Sequence, residues 1–391
     1  MRLLAITPTF FPVMGGAESG IYEIYRRLAL RHEIRILTPY PPAALEREFG
    51  MEEPVPDLSG LDLVRFYDRI NLKNWPGHGR LKGLVPPFSI SLLKAASREV
   101  EDFRPDVINV FYALPSGLAA SRIMKTKKAP VVLSLIGRDI PGPDIPRFWR
   151  FYARMAARRV SKVIFISEYC RKALSGPEST EGKVIPFGAD TERYRPGLDG
   201  SKIRERLGIP PNARVLFSLQ RLDRWKRVDI VLQAMKAVFG EAEAYLVIGG
   251  KGPELDSLRQ MVADLGIVSR VFFSGYIKEE LLPLYFAMAD IFVFHSTYET
   301  FGLVLVQALA AGKPVVSVNS TAIPEVIEDG REGKLVAPLD PDALARTILS
   351  LLGNEETLRR FSAAARQKAV ERFSWEAIAL SYERVFLDLI R

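Results

Sequence analysis

A single cysteine, Cys170, stands among 391 residues. One thiol excludes an internal disulfide and a cysteine-based zinc site, and it fits a chain living in a reducing compartment, with the cytosol as the default. Long apolar runs are also missing. Nowhere do about 18 apolar residues follow one another, so no membrane span is expected. The opening MRLLAITPTFFP meets Pro8 and Pro12 too soon for the apolar core of a signal peptide. Tandem repeats and low-complexity tracts are absent. Zinc-finger and RNA-recognition signatures are absent too, which removes nucleic acid from the expected partners.

What is present is the composition of an ordinary globular protein, 48% hydrophobic and 26% charged. The length exceeds what one core usually sustains, so two domains are expected. The net charge of +8 is unevenly placed. Residues 1–195 hold 30 Lys and Arg against 21 Asp and Glu, whereas the remainder holds 24 against 25. A basic first half attracts anionic partners, an anionic membrane surface among them, or is simply a solvated charged face.

Short apolar runs alternate with amphipathic stretches, the pattern of an α/β protein with parallel sheets. Strands are expected at 3–7, 34–38, 63–66, 107–110, 131–135 and 163–166, with a helix at 17–30 after the first. The polar, turn-rich FGADTERYRPGLDG at 187–200 marks a domain boundary. A second series of strands is expected at 215–219, 244–248, 271–273, 291–294 and 315–318. The resulting expectation is two doubly wound Rossmann-like domains, 1–192 and 197–375, facing across a cleft, with a terminal helix at 376–391 packing back on the first. In open sheets of this kind ligands bind beyond the carboxyl ends of strands, so the residues following strands carry the interest.

After the strand at 215–219 comes QRLDRWKR, which puts Arg221 and Lys226 where the sheet opens. Such a pair can grip a diphosphate, arginine through its fork and lysine as a point charge, although an isolated pair is more often surface charge. The next strand runs into GGKGPE at 249–254. Gly250 and Gly252 allow close backbone approach, and the following helix start offers amides to an anion; a plain topological turn is the alternative. A dinucleotide fingerprint would need glycine where Leu255 stands, which rejects NAD binding. The richest stretch is ADIFVFHSTYETFGLVLVQALAAGKPVVSV, 289–318. Its strand is followed by Glu299 and Thr300, and Gly302 then opens an apolar helix. The positive end of that helix can stabilise charge developing on a leaving diphosphate without a metal. Glu299 suits hydrogen bonding to sugar hydroxyls, or serves only as an acid at a helix N-terminus.

YETFGLVLVQALAAGKPVV resembles the E-x7-E region of glycosyltransferase family 4. The order of the other motifs agrees across nearly the whole chain: GGAE at 15–18, VIPFGADTERYRP at 184–196, QRLDRWKR, GGKGPELDSLRQMVADLG and VFFSGYI. The resemblance implies the GT-B fold and a hexosyltransferase acting with retention of anomeric configuration. The implied donor is a UDP-, GDP- or ADP-sugar, with no further cofactor and no metal. Arg221 and Lys226 fall on the family's diphosphate-gripping pair and Glu299 on the glutamate that contacts the hexose. Phe301 and Gly302 fall where backbone amides meet the diphosphate, beside Thr300 and Leu303, and Gly16 falls on the glycine turn opposite. The implied acceptor, a glycan or lipid-linked saccharide, would meet the first domain near Gly15, Gly137, Arg138 and Asp139.

Three positions depart from the family pattern. Gln307 replaces the second glutamate, which usually holds the ribose hydroxyls; Ile136 replaces a histidine near the donor sugar; Phe187 replaces an asparagine. Two rivals share the architecture: a weakened sugar-nucleotide-binding pseudoenzyme, and a sugar-nucleotide epimerase, which lacks the YETFG pattern. RFWRFYARMAARRVSK at 147–162 contains no acid and reads as a basic amphipathic helix able to lie on the inner face of a membrane, or as an ordinary sheet-covering helix. NLKNWPGHGRLKGL at 71–84 adds Trp75, Arg80 and Lys82 in an expected acceptor-side loop.

Overall fold

The computed structural model describes residues 1–12, 15–41, 56–68, 89–117, 119, 129–137, 147–175 and 181–391. Arg138, Asp139 and the 71–84 loop lie outside the described residues. The chain divides into two compact units, Met1–Phe187 with Trp375–Arg391, and Gly188–Ser374.

In the first unit the described strands are β1 (Arg2–Ile6), β2 (Glu33–Pro39), β3 (Leu61–Phe66), β4 (Val107–Phe111), β5 (Val131–Leu135), β6 (Lys162–Phe165) and β7 (Lys183–Val184). They pair in parallel in the order β3-β2-β1-β4-β5-β6-β7. β4 and β5 are buried along their whole length. That is why they read as unbroken apolar runs: a parallel strand covered on both faces has no polar side to alternate with. The helix Gly16–Leu28 follows β1, and the terminal helix Trp375–Ile390 packs against it. His32 and Arg31 meet Glu383 of the terminal helix at 2.6 and 3.0 Å, and Arg27 meets Glu376 at 2.7 Å. Phe187 is a packing residue: it is buried, its ring lies 5.8 Å from that of Trp375, and it fills the space that a side chain at Gly20 would need.

The second unit contains β8 (Arg214–Leu219), β9 (Ala244–Gly249), β10 (Val271–Gly275), β11 (Ile291–Phe294), β12 (Val315–Val318) and β13 (Gly333–Val336). Their order is β10-β9-β8-β11-β12-β13, again with every pair parallel. One core joins the inward residues of these strands to the helices Val228–Glu241 and Pro341–Leu352, which pack on each other. The strand order reverses between β8 and β11. Open sheets of this kind take their ligands beyond the carboxyl ends of the strands at such a reversal.

Candidate active site

Both loops at that reversal belong to the motifs singled out in the sequence. The loop after β8 runs through Arg221 into a short turn of 3-10 helix, Arg224–Lys226. The loop after β11 carries Glu299 and reaches Gly302, the residue before the helix Leu303–Ala310. The two loops are stitched together. Thr297 donates to the Trp225 carbonyl from its amide at 3.0 Å and from its hydroxyl at 3.1 Å. From the loop after β12, the Ser320 hydroxyl donates to the Thr297 carbonyl at 2.9 Å, and Thr321 Oγ1 accepts the Glu299 amide at 3.0 Å. Three adjacent strand ends therefore present one braced surface.

On it, Lys226 Nζ lies 2.6 Å from Glu299 Oε2, with the two side chains only 17% and 15% exposed. The ammonium also sits 5.4 Å from the Phe294 ring centroid, within cation–π range. A half-desolvated ion pair between residues 73 apart in sequence fixes both groups, and a second anion can approach the ammonium from its remaining donors. Arg221 donates from Nε to Asp223 Oδ2 at 3.0 Å, and its side chain is 58% exposed. Asp223 thus aims the guanidinium, and among the described residues its terminal nitrogens have no recorded partner.

Gly302 has φ +90°, a left-handed conformation in which a side chain would be strained, and a Cβ there would lie 2.9 Å from Leu305. Glycine at this position is what turns the chain from the Glu299 loop into the helix. No side chain caps that helix; the Leu305 amide donates to the Gly302 carbonyl at 2.9 Å, and the Leu303 and Val304 amides before it stand at the positive end of the dipole. Phe301 buries its ring against Phe373, centroids 6.2 Å apart, leaving its backbone as the part that can face a ligand. Thr300, Leu303 and Gln307 are half-buried on the same loop and helix.

Gly250 and Gly252 need to be glycines for a reason internal to the unit. A Cβ at Gly250, whose φ is +120°, would lie 1.9 Å from the Gln220 carbonyl oxygen, and one at Gly252 would lie 2.4 Å from that of Leu222. The backbone brought close is the chain's own loop after β8. Three amides of the turn are also occupied: Gly250 donates to Gly275, Glu254 to Leu222 and Leu255 to Gly252. The glycines therefore hold the Arg221 loop in place, and these three amides of the turn are engaged within the unit.

In the first unit Gly15 precedes the helix Gly16–Leu28 in an extended conformation, and the buried Glu18 carboxylate folds back against it, accepting from Thr9 Oγ1. Gly137 follows β5 with φ +128°. Asp223 and Thr321, which hold Arg221 and the Glu299 amide, were not singled out in the sequence, nor were Tyr194 and Glu279, which hydrogen-bond in line with Gln307, nor His295. Buried His295 directly follows β11 and accepts the Leu339 amide through Nε2 at 3.3 Å. Burial, with the nearby Arg227 charge, lowers its pKa to about 4, so it is neutral at physiological pH. Among the described residues no three His, Cys, Asp or Glu side chains gather as a metal site.

Comparison with known proteins places the chain in a family. Residues 199–368 match the family model for glycosyl transferases group 1, and residues 14–193 match that for glycosyltransferase family 4. The D-inositol 3-phosphate glycosyltransferase 2 of Catenulispora acidiphila is 34% identical, over 96% of this chain and 91% of the relative. The chain belongs to the family 4, group 1 glycosyltransferases. This hexosyltransferase is also 27% identical to the N-acetyl-alpha-D-glucosaminyl L-malate synthase of Bacillus anthracis, over 99% of the chain and 98% of the relative. The crystal structure of Anabaena HepE in complex with UDP shares its fold, with a TM-score of 0.79 at 24% identity over the whole of both chains. The α/β, two-domain Rossmann-like architecture expected from the sequence is the one observed.

Proposed function

We propose that this glycosyltransferase moves a hexose, with retention, from a nucleoside-diphosphate sugar to an envelope glycan or lipid-linked acceptor at the inner face of a membrane. The observation that carries the reading is the Lys226–Glu299 pair, 2.6 Å apart, on the same braced loops as the uncapped helix entrance at Gly302. In transfer, the bond from the anomeric carbon to the β-phosphate oxygen breaks and its electron pair leaves with the diphosphate. The acceptor hydroxyl oxygen forms the new bond, and its proton passes to the departing diphosphate oxygen. Charge gathering on the diphosphate is met by Lys226, Arg221 and the amides from Phe301 to Leu303, an arrangement that favours the transition state because the charge is largest there. Glu299 accepts from hexose hydroxyls. The resident groups supply this stabilisation, and no metal is assigned a role.

Thermal-shift screening against UDP-, GDP- and ADP-sugars, followed by nucleotide release with candidate acceptors and anomeric analysis of the product, tests the reading. A shift with one nucleotide sugar and an α-linked product from an α-linked donor is expected. Silence across all three donors would contradict it.

The membrane part rests on the helix Arg147–Ala157, which buries Trp149, Ala153 and Ala156 while Phe151 is 66% exposed and Arg158 is exposed one helical repeat later. Arg150 and Arg154 are half-buried and Arg154 donates to the Leu174 carbonyl, so the exposed part of this face is Phe151 with Arg158, an aromatic and a cation suited to an anionic lipid surface, where a nearby arginine contributes about 1 kcal/mol. Flotation with anionic vesicles should recover the protein at low salt and lose it at high salt; absence from the vesicle fraction at low salt would remove this part. The two relatives' names favour a second reading, a small hydroxylated anion such as malate or an inositol phosphate as acceptor. Product formation with either of those compounds would select it.

A further inference from the structure

Three polar side chains from separate parts of the second unit meet in a line. The Tyr194 hydroxyl donates to Glu279 Oε1 at 2.8 Å, and Gln307 Nε2 donates to the same hydroxyl at 3.3 Å. Tyr194 is 2% exposed, and its ring packs edge-on against Phe286 with centroids 5.7 Å apart. Its backbone is pinned as well: Arg366 Nη1 donates to the carbonyls of Thr191, Tyr194 and Ala310, the last residue of the helix that bears Gln307. The phenol is therefore held between the acid and the amide.

A phenol has one proton to give. Glu279 carries a cation beside the same oxygen, Arg193 at 3.5 Å, and an ionised carboxylate can only accept. It accepts the hydrogen bond that the phenol donates. Burial, reinforced by the Glu279 charge, pushes the Tyr194 phenol well above its ordinary range, so that proton is present at any physiological pH. Towards residue 307 the hydroxyl then offers only lone pairs, and its partner there must be a donor. An amide meets that demand; a carboxylate, acceptor-only, does not. Once Nε2 is committed to Tyr194, the amide orientation is set and Oε1 is the atom left for a ligand.

We propose that Tyr194 and Glu279 are positioning residues that lock the Gln307 amide in one orientation, so that position 307 offers the donor nucleotide an acceptor oxygen and selects a hydroxyl over a phosphate. This rests on the reading of the helix Leu303–Ala310 as part of the donor site. It also gives a reason for glutamine here: restoring the glutamate of the E-x7-E pattern would set two carboxylates across one phenol.

The test exchanges the acid and the amide. Gln307→Glu alone is expected to lower the unfolding midpoint and to weaken UDP, GDP or ADP, whichever binds the wild type, by roughly tenfold in calorimetry, the cost of leaving a buried polar contact unpaired. Glu279→Gln combined with Gln307→Glu reverses the line: the amide at 279 donates to Tyr194, and Tyr194 donates to the carboxylate at 307. That double variant should recover most of both losses, and on a Tyr194→Phe background Gln307→Glu should cost little. Wild-type affinity in Gln307→Glu, or a double variant binding no tighter than Gln307→Glu alone, would overturn the proposal. So would recovery of the midpoint without recovery of affinity. Were the wild type to bind none of the three nucleotides, the donor-site reading and the ligand half of the proposal would both fall, and the midpoints alone would decide whether the order of hydrogen bonds is right.

Discussion

Glu299→Gln should separate binding from turnover, because the carboxylate it removes opposes one and supports the other. In the free protein Glu299 Oε2 is 2.6 Å from Lys226 Nζ. A phosphate oxygen taking a charge-assisted bond from the same ammonium, at about 2.8 Å, would lie roughly 5 Å from that carboxylate. Two negative charges at about 5 Å repel by about 3 kcal/mol at an effective dielectric of about 20. Salt at the mouth of the site, with a Debye length of about 8 Å, roughly halves this to about 1.8 kcal/mol. Removing the charge should therefore tighten a bare nucleoside diphosphate by about twentyfold. The same change weakens an acceptor for hexose hydroxyls, so turnover of the full donor should drop at least about tenfold, 1.4 kcal/mol of barrier. Calorimetry with UDP, GDP and ADP gives the first quantity, and steady-state kinetics with the corresponding sugar nucleotide gives the second. A variant that binds the nucleoside diphosphate several-fold more weakly than the wild type would refute the charge argument.

Lys226→Ala should lower turnover by at least about tenfold, and in contrast to Glu299→Gln it should weaken the nucleoside diphosphate as well; an unchanged rate in steady-state assays counts against the assignment. Gly250→Ala forces a side chain into a left-handed position 1.9 Å from the Gln220 carbonyl. Its unfolding midpoint in calorimetry should drop by roughly 5–10 °C, and a change within measurement error would show that the loop after β8 is not held there. His295 has its pKa lowered to about 4 by burial, so the unfolded chain protonates first. Its contribution to stability is intact above the ordinary histidine value, shrinks as pH falls from about 6.5 to about 4, and reaches a loss of about 3 kcal/mol. His295→Gln, which keeps an acceptor for the Leu339 amide, should flatten that part of the stability–pH curve; identical slopes in denaturant titrations would argue against a buried neutral histidine.

Much of the fold was legible because parallel strands covered on both faces leave unbroken apolar runs. β5, β11 and β12 begin and end at the expected residues, and the other expected strands lie within a residue or two. β7 and β13 were missed. They are short, and Lys183–Val184 and Gly333–Val336 carry too few apolar residues to stand out from turn sequence. At the candidate site, Arg221, Lys226, Glu299 and Gly302 could be picked out because each follows a strand. What pattern reading could not supply was partnership. Lys226 and Glu299 meet only because the strand order places β8 beside β11, and Gln307 finds Tyr194 only because Arg366 ties two distant carbonyl clusters together. The glycines at 250 and 252 also have a reason that no sequence pattern shows, the close approach of the Gln220 and Leu222 carbonyls.

The central claim is that the phosphates of a sugar nucleotide rest against Arg221, Lys226 and the amides from Phe301 to Leu303. A crystal structure with the bound donor measures this directly. The account predicts phosphate oxygens within hydrogen-bond distance of Lys226 Nζ and of at least one of those amides, with the hexose beside Glu299. Phosphates lodged elsewhere, with Lys226 still paired only to Glu299, would contradict it.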